Sequence, residues 1–193
     1  MDDSNLYPLI ERIGNLLRTE IRKAGTELGL QPVHLHALSY LARCNRYSDT
    51  SAALTDYLGA TKGTVSQTLK VLEKKAYIEK ITDGDDKRVQ HIKVSRSGRE
   101  ILDSCLPPAA FHDAKCRIND IDSNQLTDLL TRMLRELQRA NGSRTFGLCK
   151  TCRFFRTNGT HFHCGLTNES LNALDIEKIC REHTPPSVVS ANY

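Results

Sequence analysis

Residues 51–98 constrain the fold of this chain more than any other stretch. A short helical segment at residues 52–58 is followed by Gly59, and a second helix is predicted to start at Thr61. Two strand-like runs then flank a turn at residues 83–88, whose sequence is DGDDKR. A short helix, a tight turn, a second helix and a β-ribbon, in this order, are the layout of a winged helix-turn-helix.

The second predicted helix has two different faces. Val65, Leu69 and Leu72 recur at four- and three-residue spacing and share one side. The opposite side carries small, polar and basic residues, namely Gly63, Ser66, Gln67, Lys70 and Lys74. Such a helix suits the major groove of DNA. An ordinary amphipathic surface helix is the simpler alternative, and the β-ribbon that follows argues against it.

The segment TKGTVSQTLKVLEKKAYIEK, followed by DGDDKRVQHIKVSRSG, resembles the MarR (multiple antibiotic resistance regulator) family of bacterial transcription regulators. The most specific match is Asp86-x-Arg88 at the wing tip, before a strand that ends in a Ser-x-x-Gly turn at residues 95–98. The resemblance covers roughly residues 5–140 and implies a homodimer that binds a pseudo-palindromic operator in double-stranded DNA. Ala76 departs from the family pattern, which usually has glycine there, and alanine tolerates a positive φ poorly.

The recognition helix and the wing supply the predicted DNA-binding residues. Thr61 is expected to cap the helix by accepting a hydrogen bond from a free backbone N–H. Arg88 is expected to enter the minor groove, with Asp86 fixing its direction by a charge-assisted hydrogen bond. The residues expected to face the major groove are Lys62, Thr64, Ser66, Gln67 and Lys70. Of these, Gln67 best fits an adenine edge.

The charge pattern agrees with local DNA contact. The net charge is only +4 over 193 residues, yet residues 62–99 hold ten Lys or Arg against five Asp or Glu. Such a local excess suits phosphate contact. No run approaches the apolar length of a transmembrane helix, and the acidic N-terminus does not resemble a secretory signal. A cytoplasmic protein without membrane association is expected.

Further helices are predicted around the core from helical apolar spacing, at residues 6–28, 33–43, 97–106, 109–118 and 122–137. Pro32 opens the second of these, and Asp122-Ser123-Asn124 is expected to cap the last. The first and last helices carry more apolar surface than a winged helix needs, which predicts a helical dimerisation module. Packing within one monomer is the alternative. The predicted fold class is mainly α with a small β-wing, plus a small Cys-rich C-terminal domain.

Composition changes after Asn141-Gly142-Ser143, which is predicted to be a flexible break. Residues 145–184 contain four of the seven cysteines and four of the five phenylalanines. The predicted organisation is a winged-helix and dimerisation domain at residues 1–140, with its DNA-binding core at about 32–98. A metal-binding appendage at 145–184 and a loose tail at 185–193 follow. The break is expected to limit coupling between the appendage and the first domain.

Four cysteines of the appendage are the predicted metal ligands, namely Cys149, Cys152, Cys164 and Cys180. A Cys-x-x-Cys pair can hold a tetrahedral ion from a tight turn, with two more thiolates from distant segments. A segment of roughly 40 residues buries too little apolar surface to fold without a bound metal ion that cross-links it. Zinc is expected, and an iron–sulfur cluster and a metal-free thiol switch are the alternatives. Three nearby histidines are candidates to replace or tune a thiolate: His161, His163 and His183.

The remaining cysteines, Cys44, Cys105 and Cys116, are expected to be buried and unreactive. His34 or His36 is a candidate to line an effector pocket of the kind that the family resemblance implies, with a structural role as the simpler alternative. The predicted function is a sequence-specific, homodimeric DNA-binding repressor that responds to a small molecule, a metal or a redox signal. A metal-dependent or thiol oxidoreductase and a protein-binding adaptor are the rival classes. No GxGxxG, P-loop or HExxH motif supports an enzyme.

Overall fold

A computed structural model describes residues 5–142 and 144–186, so Ser143 and most of the predicted tail, residues 187–193, lie outside the described residues. The helices are α1 (Leu6–Thr26), α2 (Pro32–Arg43), α3 (Ser51–Leu58), α4 (Lys62–Lys74), α5 (Arg96–Cys105), α6 (Ala109–Cys116) and α7 (Asp120–Ala140). The strands are β1 (Ile78–Thr82), β2 (Gln90–Val94), β3 (Phe155–Asn158), β4 (His161–Cys164) and β5 (Glu169–Leu171). Short 3-10 helices span Cys149–Thr151 and Asp175–Glu177. The predicted mainly α fold with a small wing is confirmed.

The helix-turn-helix is formed by α3 and α4, and local signals set their ends. Thr50 caps α3, because its side chain accepts a hydrogen bond from the backbone N of Ala53 at 3.2 Å. Gly59 ends α3 in the left-handed conformation, with φ of 59°. Thr61 caps α4, and α4 then buries one stripe against the core, comprising Val65, Thr68, Leu69 and Leu72. The predicted end of α3 at Gly59 and the predicted start of α4 at Thr61 are confirmed.

The wing is the antiparallel pair β1–β2, in which Ile78 lies opposite Val94. Ala76 adopts the left-handed φ of 57° before β1, so the turn forms although the glycine expected there is missing. Gly98 is needed at the other end of the wing. A Cβ at that position would lie 2.2 Å from the carbonyl oxygen of Tyr77, so no larger residue fits the Ser-x-x-Gly turn.

The two long helices α1 and α7 contribute little to the core of the monomer. Of the residues in α1, Ile21 and Gly25 are buried, and within the described helix Asp120–Ala140 no residue is. The prediction that residues 122–124 cap α7 is wrong. The cap is Asn119, whose side chain accepts a hydrogen bond from the backbone N of Asp122 at 2.9 Å. In the described part of the chain, no helix is long and apolar enough to cross a membrane.

The C-terminal segment, residues 144–186, forms the three-stranded sheet β3-β4-β5 and packs on the winged helix. Ile179 is buried in the shared core, and backbone hydrogen bonds of 2.9 Å join it to Arg43 and Asn45 on both sides of the end of α2. Phe146 packs edge-on against Tyr57, at 5.2 Å between ring centroids. The expected weak coupling across the 141–143 break is therefore wrong. A segment with little apolar surface of its own gains burial by sharing the larger core.

Ion pairs add to this packing. Asp56 of α3 forms ion pairs with Arg181, at 2.6 Å, and with Arg144, at 3.4 Å. Arg46, just after α2, pairs with Glu169 of β5. These pairs are partly exposed and contribute little energy individually. Their effect is to fix the orientation of the C-terminal segment on the helix-turn-helix.

Candidate functional site

The outer face of α4 presents all the residues predicted to contact the major groove. Thr61 accepts a hydrogen bond from the backbone N of Thr64 at 3.1 Å, so its predicted capping role is confirmed. The other predicted contact residues of this helix are all exposed, comprising Lys62, Thr64, Ser66, Gln67 and Lys70. Their role in DNA contact stays a prediction, whereas their placement on one accessible surface is a feature of the fold.

A cleft of about 470 Å³ lies between α4 and the wing. Lys62, Ser66 and Lys70 line its α4 side, and Lys80 and Gln90 line its wing side. The last two residues were not predicted as contacts. Lys80 lies in the middle of β1, opposite Ile92, and Gln90 begins β2, opposite Thr82. Their position next to α4 follows from the packing of the wing on the helix-turn-helix, which has no local sequence signal.

The wing tip holds the predicted Asp86–Arg88 pair. Arg88 Nε donates to Asp86 Oδ1 and Arg88 Nη2 donates to Oδ2, both at 2.9 Å, while 90% of the Arg88 side chain is exposed. These hydrogen bonds lower the pKa of Asp86 and raise the pKa of Arg88. The predicted ion pair is confirmed. It fixes a guanidinium at the end of the wing, where it is free to reach a phosphate or a narrow minor groove.

Asp49, in the loop between α2 and α3, is a site residue that sequence reasoning missed. The residue is 2% exposed, and its side chain contacts His91 Nδ1 and Lys93 Nζ of β2, both at 2.5 Å. His91 Nε2 also contacts Asp83 at 2.9 Å, where the wing turn begins. The hydrogen bonds to Asp49 and Asp83 raise the pKa of His91. The wing is therefore fastened to the helix-turn-helix by a buried carboxylate.

Asp83 organises the wing turn itself. Its Oδ1 accepts hydrogen bonds from the backbone N atoms of Asp85 at 2.8 Å and Asp86 at 2.7 Å. These donors, together with His91, lower the pKa of Asp83 to about 2. The Asx-type turn that results is a local signal, since Asp followed by Gly favours turns. It sets the backbone from which Asp86 and Arg88 project.

The four cysteines predicted as metal ligands line one cavity of about 130 Å³ in the C-terminal segment: Cys149, Cys152, Cys164 and Cys180. The rest of the wall is largely apolar and aromatic, with Asn45 and Tyr47 contributed from the α2–α3 loop. Among the described residues, no group of three or more His, Cys, Asp or Glu side chains converges closely enough to hold a single metal ion. The fold therefore brings the four thiols around one space without closing them onto one point.

Cys149 and Cys180 line the same cavity. The neighbouring Cys149 lowers the pKa of Cys180, while Cys180 and burial raise the pKa of Cys149. Two N–H groups point at sulfur atoms of the site. Asn45 Nδ2 donates to Cys149 Sγ at 3.6 Å, and the backbone N of Thr184 donates to Cys152 Sγ at 3.4 Å.

The histidines of the C-terminal segment are placed differently from the prediction. Both ring nitrogens of His183 form hydrogen bonds with threonine hydroxyls, at 2.6 Å to Thr145 and 2.9 Å to Thr151. Its ring lies so close to Gly147 that a Cβ there would be 2.5 Å away. His163 contacts Asn168 at 3.1 Å. No described histidine lines the cysteine cavity, so the expectation that a histidine replaces a thiolate there is wrong.

The other cysteines and histidines are mostly structural. Cys44 and Cys105 are buried as predicted, and burial raises the pKa of Cys44 to about 12. Cys116 is exposed on α6, which corrects the prediction of burial. His34 Nδ1 accepts a hydrogen bond from the backbone N of Gln31 and thereby caps α2. His36 lines a cavity of about 600 Å³ between α7 and the helix-turn-helix.

Comparison with known proteins supports this architecture. The model of the MarR family matches residues 28–89. The transcriptional repressor MprA of Escherichia coli K12 is 24% identical over 111 residues, which are 56% of this chain and 63% of that protein. The chain thus spans less than two thirds of the length of this curated relative.

Solved structures share the fold. A MarR transcriptional regulator from Methanosarcina mazei Go1 has a TM-score of 0.60 at 18% identity, covering 70% of this chain and 97% of that one. The MepR–DNA complex of S. aureus has a TM-score of 0.55 at 22% identity, covering 70% and 100%. The family match ends at Val89, well before the cysteine cavity. The part of this chain that is similar to the MarR family is the winged helix, residues 28–89.

Proposed function

We propose that this chain is a sequence-specific DNA-binding transcription repressor. The observation that carries the proposal is the common surface of α4 and the wing, with Gln67 and Lys70 exposed on the helix and Arg88 held at the wing tip by Asp86. Such a helix fits the major groove, and such an arginine fits a flanking minor groove. MprA is named a transcriptional repressor and MepR was solved with DNA, which supports the same role here.

Selection from random double-stranded DNA tests the proposal. The wild-type chain should enrich a motif with two-fold related half-sites. Gln67→Ala should relax base preference at one position of each half-site, whereas Gln125→Ala on α7 should return the wild-type motif. Failure to enrich any motif would contradict sequence-specific binding. Transcription in vitro from a promoter that contains the motif should fall as protein is added, and a rise would contradict repression.

We further propose that the chain acts as a homodimer through α1 and α7. These helices expose eleven large hydrophobic side chains: Leu6, Tyr7, Leu9, Ile13, Leu16, Ile121, Leu126, Leu129, Leu130, Leu134 and Leu137. Exposed apolar side chains in this number are unusual on a monomer and mark an interface. A second copy of this chain fits because two-fold symmetry doubles the number of bases read by α4.

The cavity beside α7 is the proposed place for a small-molecule effector. His36, Tyr57 and Phe146 give it an aromatic wall, and Arg43 gives it positive charge, whereas Arg144 is paired with Asp56, which also lines the cavity. A small aromatic anion fits both properties. Aromatic carboxylates should raise the thermal midpoint of the wild-type chain, and Arg43→Ala should reduce that shift. The absence of any shift with such compounds would contradict this effector class.

The rival classes have less support. A thiol or metal-dependent oxidoreductase would need substrate access to the cysteine cavity together with an acid–base partner. No described histidine lines the cavity, and Glu182, which does, is ion-paired with Arg144 at 2.9 Å. Turnover of a disulfide or a thiol substrate by the purified chain would favour this rival. An adaptor role for the C-terminal segment would need an accessible surface. In the described segment, Ile179 is part of the core and Phe146 packs against it, so this part of its apolar surface is not accessible to a partner.

A further inference from the structure

The size of the cysteine cavity indicates what it can hold. Its volume is about 130 Å³, close to the roughly 150 Å³ of a cavity that binds benzene. Four thiolates around a single zinc ion lie about 2.3 Å from the metal, which leaves no space between them for other atoms. No three metal-ligating side chains converge to that extent in the residues that the structure describes. We propose that this cavity binds an iron–sulfur cluster through Cys149, Cys152, Cys164 and Cys180.

The four cysteines lie on three different backbone segments. Cys149 and Cys152 lie at the two ends of a 3-10 turn. Cys164 ends β4, where the register places it opposite Phe155 of β3. Cys180 follows the buried Ile179, and its backbone N donates to the carbonyl of Gly147 at 2.9 Å. Because these segments differ, the sulfur atoms are held apart around a common space, as a ligand of several atoms requires.

The wall of the cavity matches the needs of a cluster better than those of a zinc ion. Phe154, Phe155, Leu166 and Leu171 line it, and none of the described histidines does. The two N–H···S hydrogen bonds, to Cys149 and to Cys152, are available to stabilise thiolates that bear the negative charge of a cluster. An apolar wall and such hydrogen bonds are the means by which proteins set the reduction potential of an iron–sulfur cluster.

The test uses the full chain, purified without oxygen and analysed for iron, acid-labile sulfide and zinc. The proposal expects iron and sulfide in equal amounts and broad visible absorption. The metal-free chain should recover the same spectrum when it receives ferrous iron with inorganic sulfide. One zinc ion per chain without sulfide would overturn the proposal. So would a colourless chain that fails to form the chromophore on reconstitution and whose four thiols all react with a thiol reagent.

Variants make the test specific to this cavity. Cys164→Ser should lose the visible absorption and the iron, whereas Cys116→Ser, at an exposed cysteine on α6, should keep both. Asn45→Ala removes one N–H donor and leaves all ligands in place. It should keep the chromophore but release iron to a chelator about 10- to 100-fold more readily. Unchanged iron content in Cys164→Ser would remove that residue from the site and overturn the four-thiolate assignment.

A separate set of hydrogen bonds joins this cavity to the wing through the α2–α3 loop, residues 45–49. Asn45 donates to Cys149, and its Oδ1 accepts from Ser48 Oγ at 2.7 Å. Ser48 Oγ in turn accepts from the backbone N of Arg181, next to Cys180, at 2.8 Å. The beginning of the loop is therefore fastened to the cysteine segment from two sides, and both Asn45 and Ser48 are buried.

The end of the same loop is fastened to the wing. The buried Asp49 holds His91 and Lys93 of β2, and His91 contacts Asp83. Asp83 then orders the turn by accepting from the backbone N of Asp86, which orients Arg88. From these contacts, and resting on the proposed DNA-binding function, we infer that the loop transmits cluster occupancy to the wing. The loaded chain then binds operator DNA more tightly than the cluster-free chain.

The experiment compares the affinity of loaded and cluster-free full-length chain for the selected operator at fixed salt. The expected ratio is about 5- to 150-fold, the usual range of coupling between two sites. Asp49→Asn and His91→Gln should both reduce this ratio towards one, whereas Asp103→Asn, an exposed carboxylate on α5, should preserve it. Equal, tight binding in both states would refute the transmission and leave the DNA-binding function intact. No binding in either state would refute the DNA-binding function itself.

Discussion

Ile179→Ala tests whether the C-terminal segment and the winged helix unfold as one unit. Ile179 is 7% exposed and is part of the core formed mainly by α2, α3 and α4. The substitution removes three buried carbons, worth about 0.8 kcal/mol each, or roughly 2.4 kcal/mol in transfer free energy. The cavity left behind adds to this cost, so we expect a loss of about 3 kcal/mol.

Urea unfolding of the wild type and the variant, followed by circular dichroism, measures this loss. We expect a single transition in both proteins, with a lower midpoint in Ile179→Ala and an unchanged slope. Leu174→Ala is the matched control, because Leu174 is 76% exposed and its truncation should change the free energy of unfolding by less than about 0.5 kcal/mol. A second, early transition confined to the C-terminal segment would refute the shared core. An unchanged midpoint in Ile179→Ala would refute it as well.

Three further predictions concern the wing and the dimer. Arg88→Ala should weaken operator binding about tenfold or more in a titration at fixed salt, with an unchanged circular dichroism spectrum; unchanged affinity would exclude the wing tip from the DNA contact. Leu130→Asp combined with Leu134→Asp should give a monomer in sedimentation, because a second copy can no longer cover charged α7 faces; an intact dimer would exclude this helix from the interface. Because the pKa of His91 is raised above its usual 6.5, the stability from its pairing with Asp49 is complete below about pH 6.5. That stability is lost as the pH rises through the folded-state value, and His91→Gln should remove this part of the pH dependence of unfolding.

Features set by near neighbours in the chain could be predicted. The cap at Thr61, the left-handed Gly59 and the Asp86–Arg88 pair each involve residues a few positions apart, so their spacing carries the signal. The cap of α7 was misplaced because several capping residues occur in a row. Asn119 precedes Asp122 by three residues, and it starts the helix because its side chain accepts a hydrogen bond from the backbone N of Asp122.

Features that depend on distant pairing could not be predicted. Asp49 looks like an ordinary loop carboxylate in the sequence, yet it contacts His91 and Lys93, which follow it by 42 and 44 residues. The same holds for Ile179, which forms backbone hydrogen bonds to Arg43 and Asn45, and for Cys116, which is exposed because α6 buries none of its residues. Such contacts follow from tertiary packing, which overrides local preference.

Three residues that the sequence did not single out share a location that bears on function. Asn45, Asp49 and Ile179 all lie where the C-terminal segment meets the α2–α3 loop. A segment that served only as a separate metal-stapled appendage would not need buried hydrogen bonds to this loop. Asn45 donates to a sulfur atom of the cavity, and four residues later Asp49 holds the wing. Both side chains are buried and hydrogen-bonded. If Asn45 moves, the hydrogen bonds of Asp49 are lost unless the whole α2–α3 loop moves with it. The cysteine site thus lies at the end of the loop through which the proposed change in occupancy would reach the proposed DNA-contacting wing.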